Sequence, residues 1–212
     1  MKAPHPFFCL LALSSFFYLF ALGCALLFST YAYAVDSFEF DTKSDPHNML
    51  MFQIDHQDYS RSIGFFKKFE GQIEFDRENL ENSSVEVTID ITSLNIAGHE
   101  KWSNNTLAVF FKNGKLPTAH FRSTKIESKG YGKLIITGDL TLMGVTKSLD
   151  LDVALNKAGQ SQSAGFKAGF SATTQLSRKD FGIIAVPTNG DKVSITIEIE
   201  AIKKQFLSKI IS

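Results

Sequence analysis

The stretch LIITGDLTLMGVTKSLDLDVAL, residues 134–155, decides the fold. Leu149, Leu151, Val153 and Leu155 share one face, and Ser148, Asp150, Asp152 and Ala154 share the other. Leu134, Ile136, Leu140 and Leu142 form a matching apolar set before Met143-Gly144. Strict period-two alternation on both sides of a glycine reads as an antiparallel hairpin with one wet face. Its apolar face must be covered, so the question is what the rest of the chain supplies as cover.

The same alternation recurs along the chain. Leu50, Phe52 and Ile54 make one set; Phe69, Gly71, Ile73 and Phe75 make another, opposed by Glu70, Gln72, Glu74 and Asp76. Val85, Val87, Ile89 and Ile91 alternate with Glu86, Thr88 and Asp90, and Phe166, Ala168, Phe170 and Ala172 with Lys167, Gly169, Ser171 and Thr173. Val193, Ile195, Ile197 and Ile199 complete the pattern. Turn signals stand at Arg77-Glu78-Asn79, Asn113-Gly114, Lys129-Gly130, Ala158-Gly159 and Asn189-Gly190-Asp191. Only residues 98–112 read as helical. One short helix cannot cover about eight half-buried strands, so the sheet must cover itself as a sandwich or a closed barrel. Closure also removes the unpaired edges that Val/Ile-rich strands would expose. The expectation is one all-β domain, with no repeat or linker that marks a second.

The first 34 residues read differently. Lys2 precedes an apolar run over residues 7–28, which ends in Ser29-Thr30 and the small-x-small sequence Ala32-Tyr33-Ala34. This predicts a secretory signal peptide over 1–34 and a mature domain over 35–212. The run is also long enough to span a bilayer, which leaves an uncleaved anchor open. Leu22-Gly23-Cys24 leaves a lipoprotein box open as well. Both cysteines, Cys9 and Cys24, fall inside this segment, so the exported domain must be held by its core without disulfides. With 22 basic and 22 acidic residues the chain is formally neutral, which argues against nucleic acid as a partner. A periplasmic location suits such a domain.

Chemistry-bearing motifs are sparse. Beyond residue 34 there is no cysteine, no Gly-x-Ser-x-Gly elbow and no phosphate-cradling glycine loop. His47, His56, His99 and His120 lack the short spacing of paired metal ligands, although the fold can still bring them together. No cofactor or metal is expected. Arg178, Lys179 and Asp180 end an apolar strand, where Arg178 either meets a ligand head at a barrel mouth or pairs with Asp180. Of the 20 phenylalanines 14 lie beyond residue 34, several on inward faces. An eight-stranded barrel is about the smallest that holds a ligand rather than side chains alone, so a pocket is permitted without being required.

Taken together, these fragments resemble the YceI-like family. The resemblance rests on residues 47–56, with two histidines around a strand Phe; on Ser60, Gly64, Phe66, Phe69, Gly71, Ile73, Phe75 and Asp76; and on Phe110-Phe111, Leu116-Pro117 and Phe121-Arg122-Ser123. It continues through the block at 138–147, Arg178 to Gly182, and Gly190-Asp191-Lys192-Val193. Asn48, where the family usually has Ser, and the helical segment at 99–111 depart from the pattern. The resemblance implies an extended, antiparallel, lipocalin-like β-barrel with a loop helix, exported to hold a long isoprenoid chain, of a polyprenyl lipid or an isoprenoid quinone, in its lumen. On that reading Phe52, Phe69, Phe121, Leu140, Phe166, Ala168, Phe170 and Ile195 line the tube. His56 and Arg178 mark its polar end. Transient membrane contact and a homodimer stay open. The rival readings are a ligand-free barrel that serves as an interaction or stress-response module, and a hydrolase of lipid-like substrates for which no activated nucleophile can be named.

Overall fold

A computed structural model describes residues 35–76 and 79–204, so the signal-peptide expectation lies outside the described residues. Among them are eleven strands. These are β1 (Asp36–Asp41), β2 (Met49–His56), β3 (Ser60–Phe66), β4 (Phe69–Phe75), β5 (Ser84–Asp90), β6 (Leu94–Ile96), β7 (Thr118–Gly130), β8 (Lys133–Leu142), β9 (Val145–Ser161), β10 (Gly165–Ser177) and β11 (Lys192–Lys203). The helix α1 (Glu100–Phe110) falls between β6 and β7, inside the segment read as helical.

The 134–155 hairpin forms as β8 and β9, with Leu142 opposite Val145 and only Met143 and Gly144 between them. Both turn residues are left-handed, at φ 54° and 80°. Such a two-residue turn matches the right-handed twist of the strands it joins, and glycine adopts it without steric cost. Met143 adopts the same region with its side chain buried in the core.

Antiparallel pairing runs β1-β4-β5-β7-β8-β9-β10-β11, and β11 pairs back onto β1, closing an eight-stranded ring. The three remaining strands, β2, β3 and β6, extend the sheet from the upper half of β11. Strand β11 therefore changes partner along its length, from Ile54↔Val193 at one end to Phe38↔Lys203 at the other. Buried Asn48 bridges this change: its Nδ2 donates to the Asp41 carbonyl at 2.8 Å, and its Oδ1 accepts the Glu200 N–H at 2.7 Å. The free edge of β6 is covered by α1, where Ser103 Oγ accepts the Ile96 N–H at 2.9 Å. Both arrangements satisfy main-chain donors that a buried sheet end would leave orphaned.

One expectation changes. The Ala158-Gly159 turn is strand: Gly159 lies within β9 opposite Lys167, and the connection comes after Ser161. The expected barrel of about eight strands is the ring of eight, and three further strands lie beyond it. The strands that the alternation did not single out are short, as β1 and β6 are, or broken in parity, as β7 is by an irregularity between Ser123 and Lys125.

The interior divides into two levels. At the end where β1, β10 and β11 meet, Phe38, Phe40, Phe69, Ile73, Ala168 and Ala201 pack into a closed cluster, each at most 9% exposed. Phe38 and Phe166 stand 6.2 Å apart between ring centres, and Phe40 meets Phe69 edge-on at 6.4 Å. An ion-pair network fastens this end: Lys167 Nζ bonds Asp45 at 2.8 Å and also Glu200, while His47 Nδ1 bonds Asp45 at 2.8 Å. Burial pushes the Asp45 carboxyl up, but hydrogen bonds from Lys167 and from the His47 main chain and ring outweigh it and hold the pKa at about 2.

Candidate functional site

At the other end the lumen is open. A cavity of about 370 Å³ lies among the upper strands, α1 and residues 183–189. Its wall runs through Leu50, Phe52 and Ile54 on β2, Val87 and Ile89 on β5, and Ala119 and Phe121 on β7. Leu140 and Leu142 on β8, Leu149 and Leu151 on β9, and Val193, Ile195 and Ile197 on β11 continue it. A small concave space with an apolar wall and a few polar groups at one pole is the usual form of a small-molecule site.

Two glycines keep the lumen wide. A Cβ built on Gly64 would stand 2.4 Å from Phe52 Cζ, and one on Gly138 would stand 2.3 Å from Phe121 Cζ. The tip of each ring therefore occupies the gap that its neighbour's missing side chain leaves. Gly64 is the direct cross-strand partner of Phe52. Covering glycine with an aromatic ring in this way also shields the exposed strand backbone.

Helix α1 covers the mouth. Trp102, Thr106 and Phe110, four residues apart and so on one helical face, all belong to the wall. Trp102 is 56% exposed and Gln57 is exposed as well, so the cavity reaches the surface between the helix and the β2–β3 turn. His56 stands there too, with its ring 6.5 Å from that of Trp102. Left-handed residues flank the helix on both sides, Ala97 and Gly98 before it and Lys112, Asn113 and Gly114 after it.

Arg178 is 2% exposed. Its Nε donates to the Gly190 carbonyl at 2.8 Å, Nη1 to Ile183 and Ala185 at 2.7 Å each, and Nη2 to Val186 at 3.0 Å and Asn189 at 3.2 Å. All five N–H groups of the guanidinium are thus engaged by main-chain carbonyls. Its planar face lies 5.7 Å from the centre of the Phe110 ring. Neither sequence expectation for this residue matches: Arg178 organises the loop over the mouth instead of pairing with Asp180, and it has no donor left for an anionic head. Asn189 Oδ1, beside it, is buried without a hydrogen-bond partner, so this pole lacks donors rather than acceptors.

Of the residues expected to line the tube, Phe52, Phe121, Leu140 and Ile195 do so, and His56 and Arg178 stand in the same wall. Phe69, Phe166, Ala168 and Phe170 point inward as expected but are not in the wall: Phe166, Ala168 and Phe170 lie below the cavity and Phe69 beside it, opposite Ile89, all in or against the closed cluster. Alternation reveals which face a residue occupies, not its height along the barrel. Trp102, Thr106, Phe110, Ile183 and Val186 were not anticipated. The i, i+4, i+8 spacing of the first three was the available signal, whereas the loop pair sits in a segment without a motif, gathered around Arg178.

The histidines, widely spaced in sequence, include one that the fold brings into a cluster: His47, Asp45 and Glu200 offer ligand atoms within 4.8 Å of one another. The Lys167 ammonium already sits against both carboxylates and supplies the positive charge there.

The YceI-like domain matches residues 39–201. Among curated relatives, a UPF0312 protein of Vibrio parahaemolyticus is 38% identical over 188 residues, 88% of this chain and 98% of its own. A UPF0312 protein of Shewanella denitrificans is 35% identical over 184 residues, 86% of this chain and 95% of its own. Among solved structures, the Campylobacter jejuni YceI protein is 32% identical with a TM-score of 0.61, over 67% of this chain and 85% of that one. Burkholderia cenocepacia BcnA has a TM-score of 0.64 at 22% identity, over 73% and 95%. A domain from Saccharophagus degradans described as polyisoprenoid-binding has a TM-score of 0.57 at 13% identity, over 80% and 99%. These last two share the fold.

Proposed function

Since this chain belongs to the YceI-like family, we propose that it binds an isoprenoid lipid with an uncharged head, such as a prenyl alcohol or an isoprenoid quinone, in the upper lumen. The observation that carries the reading is the apolar cavity of about 370 Å³ that opens beside Trp102. A prenyl tail asks for an apolar tube, and each buried CH₂ is worth roughly 0.8 kcal/mol before ordering costs. The polyisoprenoid-binding description of the Saccharophagus degradans domain supports the same ligand class. The uncharged head follows from Arg178. No lysine stands in the wall, and the one guanidinium there has every N–H engaged, so a phosphate beside Arg178 would be desolvated against no free N–H of that side chain.

The activity is binding and carriage, or sequestration, without bond chemistry, and the site of action is the periplasm. The second point rests on the signal-like sequence of residues 1–34. Native mass spectrometry of freshly purified protein tests the reading. A bound mass removed by organic extraction and identified as an isoprenoid supports it. A bare chain across several preparations, with no uptake of added prenyl lipid, supports the ligand-free barrel instead.

A further inference from the structure

The cavity stops at one level on every strand that carries it. Ile197 lines it but Ile199 on the same face does not; Leu151 does but Val153 does not; Val87 does but Val85 does not. On β10, Thr174 and Leu176 line it and Phe170 does not. Phe170 stands opposite Ile199, one step below the last lining residue of β11. It packs against both halves of the core. Beneath it the rings of Phe38 and Phe166 fill the tube, and Ala168 opposite Ala201 gives them room.

From this cut we infer that the aromatic floor headed by Phe170 limits the enclosed tail to about three prenyl units. The inference rests on the isoprenoid reading and departs from the long chain that the family resemblance implies. The lumen's length follows from the strands. The wall spans four residue steps on β11, Val193 to Ile197, and six on β2, Leu50 to His56. At about 3.4 Å per step and a strand tilt near 40°, that is roughly 10–16 Å along the barrel. A prenyl unit contributes four chain bonds of roughly 1.5 Å, hence about 5 Å at full extension. Three units reach from the Trp102 mouth to Phe170, and a fourth meets the rings. Those rings are not readily displaced, because Phe38, against which Phe166 packs, is only 3% exposed in a close-packed interior.

The test is a series of prenyl alcohols of two to eight units, one head with tails of increasing length. Binding is read by the fluorescence of Trp102, the chain's single tryptophan, and checked by native mass spectrometry. Affinity rises at least about tenfold per added unit up to three units, and beyond that each unit adds less than about twofold. Phe170→Ala lowers the floor and moves the break to four units or more. Ile197→Phe raises it and moves the break to two. The second variant fills space rather than opening a cavity, so it keeps the test decisive if the first does not fold. Affinity that climbs steadily through six units, or a break that neither folded variant moves, overturns the floor and leaves the isoprenoid reading intact. No binding at any length overturns both.

Discussion

Replacing Gly64 with alanine tests how the lumen is kept open. The added Cβ would meet Phe52 Cζ at 2.4 Å, Phe52 Cε1 at 2.8 Å and Ile96 Cδ1 at 2.8 Å, all side-chain atoms of the cavity wall. Comfortable carbon contacts lie at about 3.5–4.0 Å, so the Phe52 ring must retreat by more than about 1 Å. Strand β3 bars the outward direction and the Phe66 ring stands 5.8 Å away, so the retreat is into the lumen. Such a shift displaces one or two methylenes of a bound tail, a loss of about 1–2 kcal/mol, or roughly 5–30-fold in affinity. The ligand-free protein loses about 1–3 kcal/mol from overpacking, partly offset by the smaller entropy of the unfolded alanine chain. Tryptophan fluorescence titration with a three-unit prenyl alcohol reads the first effect, and thermal unfolding reads the second. Gly159→Ala, whose Cβ would meet nothing within 4 Å, changes neither. Adding Phe52→Leu to Gly64→Ala restores most of the binding. A folded Gly64→Ala protein that binds as tightly as the parent would refute the reasoning, because Phe52 would then not bound the ligand's space.

Arg178→Lys replaces five donors with three on a point charge and leaves at least two buried carbonyls unpaired, so stability falls by about 3 kcal/mol and Tm by about 6–12 °C. An unchanged Tm would mean that the 183–190 loop is held by other contacts. Because the Asp45 carboxyl is held below its ordinary value, at about 2, its contribution is present above pH 3.8 and is lost as pH falls through 2. Asp45→Asn therefore costs on the order of 2 kcal/mol at pH 7, and its difference from the parent shrinks in urea titrations below pH 3. Trp102→Phe weakens prenyl binding severalfold, measured by calorimetry, while Tm stays within about 2 °C, since the indole is more exposed than buried.

The ring of strands was legible because period-two alternation survives wherever one face is wet, as along Val193, Ile195, Ile197 and Ile199. It failed where the backbone breaks parity. In β7 the inward residues Ala119 and Phe121 are followed by Ile126, out of phase across the irregularity at Ser123. Residues 36–41 alternate too, but six residues with one aromatic pair are too short to separate from the apolar sequence before them. The height of the cavity was not legible at all. Phe52 and Phe170 look alike in sequence, yet one fills the gap at Gly64 in the wall and the other heads the floor. The difference is set by cross-strand register, which pairs Phe52 with a glycine and Phe170 with Ile199 and Leu155. Arg178 was singled out for its charge, whereas its place depends on carbonyls contributed by a loop without any motif.

The most direct test of the central claim is photo-crosslinking with a three-unit prenyl alcohol that carries a diazirine at the far end of the tail, followed by peptide mapping. If the tail fills the upper lumen, the label falls on residues around its lower limit, Val87 on β5, Phe121 on β7 and Ile197 on β11, and excess unlabelled alcohol competes it away. Label confined to outward-facing residues such as Met49, Tyr59 and Tyr131, or not reduced by competitor, would contradict an isoprenoid site in this cavity.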